Sequence, residues 1–313
     1  MSIATRIFQK LLYASIDDLR FNIGQSHMRI MRSVYQNVKS LYDVEYKVFS
    51  QYGEDGIIDY LLMRLNIVKP KFIEIGVENY HECNTRFLYQ DKTSYGVIID
   101  SQKNLLANAK KVLGPYFYMG EIHPISQFIN KDNVLDIYNQ FIKLYDVDLF
   151  SLDIDGIDWW VVNTLPKNFS KIAIIEYNPY FGGKLNVTVP YRSDFNRMKF
   201  HHSGLAFGAS LLAMVNLMDY KGFAFIGSNI NHHNAFFLRK DLVHLLSFKP
   251  PSPKIYESFA ENFSRESRSS NGELDYAGGT DRLSRIKDIQ VVDLSISPSC
   301  QVILQQANGF TGL

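Results

Sequence analysis

The sequence predicts an α/β fold: a mostly parallel sheet with helices on both faces, closed by an antiparallel hairpin. Three observations predict it. From residue 71 onward, short apolar runs alternate with segments of helical length, as in a parallel sheet crossed over by helices. Runs such as Gly96 to Ile99 and Ile172 to Ile175 do not alternate polar with apolar, which suits strands buried on both faces. The last two runs, FAFIGS (223–228) and AFFLRK (235–240), are separated only by NINHHN. That gap is too short for a right-handed crossover, so the two pair as a hairpin.

The elements follow in order. Residues 1–48 carry apolar and basic positions at roughly helical spacing and form an N-terminal helical segment of one or two helices. SQYGEDGIIDYLLMRL (50–65) repeats Ile57, Ile58, Leu61, Leu62 and Leu65 at three- and four-residue steps, a helix. The parallel strands are KFIEI (71–75), YGVIID (95–100), YFYMG (116–120), VDLFSLDI (147–154) and KIAIIEY (171–177). Residues 178–204 are irregular and long enough for a functional lid. A helix from about Ala206 to Tyr220 ends at Gly222, where a C-terminal stop belongs. Five parallel strands plus the hairpin match the seven-stranded sheet of Rossmann-like methyltransferases. Residues 49–246 make up this domain. Residues 247–313, opened by the proline-broken SFKPPSPK, form a C-terminal extension wrapped on the surface and partly mobile.

Composition narrows the function. Of 313 residues, 46% are apolar, enough for a sizeable core, and the net charge of +1 leaves no electrostatic footprint for nucleic acid. The two cysteines, Cys83 and Cys300, lie far apart, which argues against a disulfide framework or a cysteine zinc site. Charges interrupt the N-terminus every few residues, so no signal peptide is expected, and no apolar run is long enough to span a membrane. A cytoplasmic protein is expected, acting on a small-molecule or glycan acceptor.

In open parallel sheets, ligands bind beyond the carboxyl ends of the strands. The first strand ends Glu74-Ile75-Gly76-Val77-Glu78-Asn79, an acid followed by a glycine that lets a ligand approach the backbone. Asp100 ends the second, on the order of 20 residues further on, the separation between a glycine turn and an acid that grips a ribose diol. Glu121 follows the third run, either facing an adenine amine or solvated in a loop. FSLDIDGIDWW (150–160) ends the fourth. Asp158 is placed to cap a helix starting at Trp159. Asp153 and Asp155 share one face, where two carboxylates repel unless a cation, a protonated substrate group or Arg and Lys from the lid join them. Glu176 and Asn178, at the end of the fifth strand, should lie beside them. Asp153, Asp155, Glu176 and Asn178 form an oxygen-only set suited to Mg²⁺. His201-His202 in the lid and His232-His233 in the hairpin loop are candidate bases. His202 and His201 are favoured, because a lid should cover the substrate.

SQYGEDGI, FIEIGVENYHECNTRFL, GVIID, LFSLDIDGIDWWV, IIEYNPYFG, VTVPY, FGASLLA, NHHNAFFLRKD and SRESRSSNGELDYAGGTDRL together resemble a group of uncharacterised bacterial proteins. These look like distant relatives of FkbM-type methyltransferases, often linked to glycan gene clusters. The resemblance covers most of the chain from about residue 50. It implies a Rossmann-like fold with S-adenosylmethionine as cofactor, the turn at Glu74 to Asn79 and Asp100 falling where that family's cofactor motifs fall. With Glu121 and Asp153, placed by their strand ends, the cofactor candidates are Glu74, Gly76, Glu78, Asp100, Glu121 and Asp153. Val77 and Glu78 stand where the glycine-rich turn of active methyltransferases has small residues. The expected activity is O-methylation of a sugar or glycan hydroxyl, with Asp155, His202 or His201 as the base. Two alternatives remain: a glycosyltransferase using Asp153 and Asp155 as a D-x-D motif, and a non-catalytic binding module on a methyltransferase fold.

Overall fold

The computed structural model describes residues 3–143, 146–252, 264–279 and 281–310, with side chains from residue 15 onward. Helix α1 (Ile3–Arg32) leads, by way of two short 3-10 turns, to α2 (Glu54–Arg64). Then come β1 (Lys71–Ile75), α3 (Arg86–Lys92), β2 (Tyr95–Asp100), α4 (Leu105–Leu113), β3 (Glu121–Ser126), α5 (Val134–Ile142), β4 (Leu149–Leu152), α6 (Asp158–Thr164) and β5 (Ile172–Glu176). They are followed by β6 (Val187–Thr188), α7 (Arg197–Phe200), α8 (Leu211–Tyr220), β7 (Phe223–Ser228), β8 (Asn234–Arg239), α9 (Asp281–Ile286), β9 (Gln290–Asp293) and β10 (Gln301–Ile303). Seven strands form the main sheet in the order β3-β2-β1-β4-β5-β8-β7, and only β8 runs antiparallel to the rest. This is the Rossmann-like methyltransferase sheet. β6, β9 and β10 make a small antiparallel sheet.

Alternate residues of each strand feed separate cores. Phe72, Ile98, Leu149, Ile172 and Ile174 pack with Leu61, Leu88 and Leu105 of α2, α3 and α4. Ile73, Ile75, Ile99, Phe150, Leu152 and Ile175 pack with Phe141, Val161 and Met214 of α5, α6 and α8. That is why these runs do not alternate in the sequence: both faces are dry. The arrangement points the carboxyl ends of β1 to β5 at one rim. β1 and β4 lie side by side where strand order reverses, the place where such sheets bind ligands.

The third strand differs from the expected one. Residues 114–118 wind into a 3-10 turn, with Gly114 at φ +53° and Pro115 at its start, and the strand is Glu121–Ser126. Pro124 sits in it without cost because β3 is an edge strand. α8 begins at Leu211 rather than near Ala206: Gly208 at φ +62° interrupts the helix, and the Ser210 side chain accepts from the Ala213 amide as its cap.

The C-terminal segment does more than wrap the surface. Ile286 and Val291 are fully buried in the main core, and β9 pairs with β6. The expected linker SFKPPSPK runs into residues 253 and 254, which lie outside the described residues. At the other end, Arg86 of α3 holds α1. It donates to Asp17 at 2.7 Å and to the His81 carbonyl at 2.9 Å, and lies over the Phe49 ring at 3.7 Å. Among the described residues, no helix is long and apolar enough to cross a membrane.

Candidate functional site

A cleft of about 460 Å³ opens at the carboxyl rim of the sheet, within the range of small-molecule and cofactor sites. Glu74, Gly76, Glu78, Asp100 and Asp153, five of the six residues expected to hold a cofactor, line it together with Asp155 and Glu176. Glu121 does not. It pairs with Tyr95 at the amino end of the sheet and is exposed, so the shifted strand carries it to the opposite edge. Gln127, Phe128 and Ile129, at the other end of β3, line the cleft instead.

On the β1–β2 side, Asp100 organises the loop above it. Its Oδ2 accepts from the Glu78 amide at 2.7 Å and its Oδ1 from the Gln102 amide at 2.9 Å. Glu78 sits at φ +46°, a turn conformation this bond helps hold. Glu74 is buried and turned the other way. It accepts from the Asn84 and Thr85 amides at 2.7 and 3.0 Å, and so ties β1 to the start of α3. Burial pushes its carboxyl up to about 7, against these bonds. Gly76, at φ +89°, gives room to the Asp153 carbonyl rather than to a ligand.

On the β4–β5 side, carboxylate oxygens of Asp153, Asp155 and Glu176 lie within 4.8 Å of one another. Asp155 is at φ +52°, and its amide donates to Glu176 Oε2 at 3.2 Å. Desolvation and the neighbouring carboxylates hold Asp153 and Glu176 well above the usual carboxylate range. Arg197 of α7 relieves part of this, donating to Asp155 at 2.5 Å and pairing with Glu266. Asp158 is the first residue of α6 and closes the preceding turn: the Ile154 and Gly156 amides each donate to it at 3.1 Å.

Asn178 does not join the three carboxylates. Its Nδ2 donates to the carbonyls of Leu205 and Phe207 at 2.8 and 2.9 Å, and its Oδ1 accepts from the Tyr180 amide at 2.8 Å. The buried loop carbonyls at 205 and 207 take up the amide nitrogen, and the Tyr180 amide takes up the oxygen. His201 and His202 are not among the cleft-lining residues. His201 bonds Ser203 Oγ at 2.7 Å and stacks against His202. The ring in the cleft is His233, stacked on Tyr52 with centroids 5.4 Å apart. Desolvation and the nearby Arg282, His232 and Arg265 charges lower it to about 4, so its imidazole is neutral at physiological pH.

The sequence reading missed the outer wall. Ser264, Arg265, Glu266 and Ser267 line the cleft. Ser264 Oγ donates to Tyr180 Oη at 2.8 Å, and the Arg268 amide donates to the Ser203 carbonyl at 3.1 Å, fastening the C-terminal segment over the lid. Among the described residues the lining holds eight carboxylates and two arginines.

No family model matches the chain, and no curated protein matches it. The FkbM-type resemblance therefore has no support from these comparisons. Among solved structures, the chain is similar to the pyocyanin biosynthetic protein PhzM at 12% identity and a TM-score of 0.33. The likeness covers 57% of this chain and 53% of PhzM, so the chain spans about half of that protein's length. The strand order, and not this likeness, carries the assignment of a Rossmann-like methyltransferase fold.

Proposed function

We propose that the protein is an S-adenosylmethionine-dependent methyltransferase that O-methylates a sugar or glycan hydroxyl. The observation that carries this reading is Asp100. It ends β2 beside the β1–β4 reversal point and lines the cleft with the Gly76–Glu78 turn, as a ribose-binding acid would. The lining, rich in carboxylates, also suits a cofactor with a sulfonium and an ammonium group. It suits a nucleoside diphosphate less well, which weighs against the D-x-D glycosyltransferase alternative.

When bound, S-adenosylmethionine supplies the methyl group, its C–S bond breaking as the new O–C bond forms. The residues here would hold the reactants in line and exclude water. The neutral His233 ring is placed to accept the hydroxyl proton, with Asp155 as a second candidate whose carboxylate is shared with Arg197. Of the four residues expected to hold Mg²⁺, Asn178 is committed elsewhere and Asp155 is paired with Arg197, so the reading gives a metal no part.

Calorimetric titration with S-adenosylmethionine and S-adenosylhomocysteine tests the reading. Stoichiometric binding of both is expected. Binding of neither, with stabilisation by a UDP- or GDP-sugar and Mn²⁺, would reverse it in favour of the glycosyltransferase.

A further inference from the structure

The corner of the cleft beneath β4 and β5 is lined by carboxyl groups and a buried amide. Asp153, Asp155 and Glu176 crowd within 4.8 Å. Among the described residues, the charge facing them is one guanidinium, Arg197, which also serves Glu266. A second, independent observation lies across the strand. Asn234 stands opposite Glu176 in the β5–β8 register, lines the same cleft and is 3% exposed. Its Nδ2 is fixed by Glu54 Oε1 at 2.9 Å, which sets the amide's orientation. Its Oδ1 is buried and accepts from no donor among the described residues. A buried carbonyl oxygen without a donor is costly unless something supplies one.

These acceptors call for a group that brings both positive charge and several N–H donors. We propose that the methyl acceptor carries a primary ammonium group, as an amino sugar does, gripped by Asp153, Glu176 and the Asn234 carbonyl oxygen. This rests on the methyl-transfer reading, because it names the acceptor of that cleft. An ammonium offers three rotatable donors and tolerates irregular geometry. Mg²⁺ demands near-octahedral oxygens at about 2.0–2.1 Å. Here Asp155 is bound to a guanidinium and Glu176 takes up the Asp155 amide. Arg197 already demonstrates that the corner accommodates an organic cation. The methylated oxygen is then a hydroxyl close to the ammonium, within reach of His233.

The test uses the full chain saturated with S-adenosylhomocysteine. It is titrated calorimetrically with glucosamine, galactosamine and mannosamine, each against its parent sugar and its N-acetyl form, and with MgCl₂ and MnCl₂ alone. At least one amine should bind roughly tenfold or more tightly than both of its uncharged counterparts, the scale of a charge-assisted bond. D153N and E176Q should each remove the preference, and R197A, which frees the corner of a competing cation, should strengthen it. Circular dichroism identifies any variant that does not fold, and the others then decide. The proposal is overturned if no pair shows a preference, if the preference survives both D153N and E176Q, or if a divalent ion binds one-to-one and displaces the amine. Binding of S-adenosylhomocysteine without an amine preference overturns this proposal alone. Absence of S-adenosylhomocysteine binding overturns the methyl-transfer reading itself.

Discussion

A Cβ built on Gly76 would come within 1.5 Å of the main-chain oxygen of Asp153. The two residues mark the ends of β1 and β4, and the Asp153 amide in turn donates to the Ile75 carbonyl at 3.0 Å. Gly76 also holds φ +89°, which other residues rarely adopt. G76A should therefore destabilise the fold by about 3 kcal/mol or more, from backbone strain plus a clash with a carbonyl that cannot step aside. Urea denaturation measures it, and a midpoint within error of the parent would contradict this account.

Asp100 gives a cleaner probe of cofactor binding, because its substitution leaves the strand packing alone. D100A removes the acceptor for the Glu78 and Gln102 amides and the acid facing the cleft. Affinity for S-adenosylmethionine should fall at least tenfold, with a stability loss of only about 1–2 kcal/mol. Calorimetry and thermal melting read the two effects separately, and unchanged affinity would remove Asp100 from the cofactor site.

The base can be told apart by substitution. H233A should lower kcat by about 10²–10⁴, the range for a general base, while S-adenosylmethionine affinity holds. H201A and H202A should leave kcat within about threefold, since both residues stand outside the cleft lining. A larger loss in the lid variants than in H233A would return the base to the lid.

Stability should fall as pH rises through the weakly acidic range. Glu74 ionises near 4.5 when unfolded and near 7 when folded, because burial disfavours its charge. The native state therefore holds a proton that the unfolded chain has lost across that window. Stability from this group is full below about 4.5 and lost by about 7, on the order of 3 kcal/mol. Asp158, also pushed up to about 7 by burial, acts in the same direction. Melting temperature should drop between pH 5 and pH 8, less steeply in E74Q. A rising profile, or an equal slope in E74Q, would rule this out.

Arg86 should be the residue whose loss frees the N-terminal helix. It is 1% exposed and spans Asp17, His81 and the Phe49 ring. R86A should cost about 3–5 kcal/mol, as removal of one partner from a buried ion pair does. It should also expose the stretch near Asp17 to protease while the sheet stays folded. Resistance equal to the parent would show that apolar packing alone holds α1.

The rim of the cleft was legible in the sequence wherever an apolar run stops on a polar residue: Glu74-Ile75-Gly76, Asp100, Asp153 and Glu176 all come together. The third strand was not, because Pro124 disguises an edge strand and the aromatic run before it looks more strand-like than the turn it forms. Residue types also hid their use. Asn178 resembles a ligand until the loop carbonyls at 205 and 207 are seen to consume it. Nothing local to SRESRSS, which begins at Ser264, announces that it lies against the cleft beyond the end of β4 at Leu152; the pairing of Glu266 with Arg197, the bond from Ser264 to Tyr180 and the Arg268 amide on Ser203 make the neighbourhood.

That late-sequence wall sets an order of events during synthesis. A polypeptide leaving the ribosome amino end first exposes the Asp100 half of the cleft well before residues 264–267 arrive to face Tyr180 and Arg197. A nascent chain thus has an open, one-walled cleft until translation has passed residue 267. The enclosed form of the cleft is withheld from every chain that stops short of that wall.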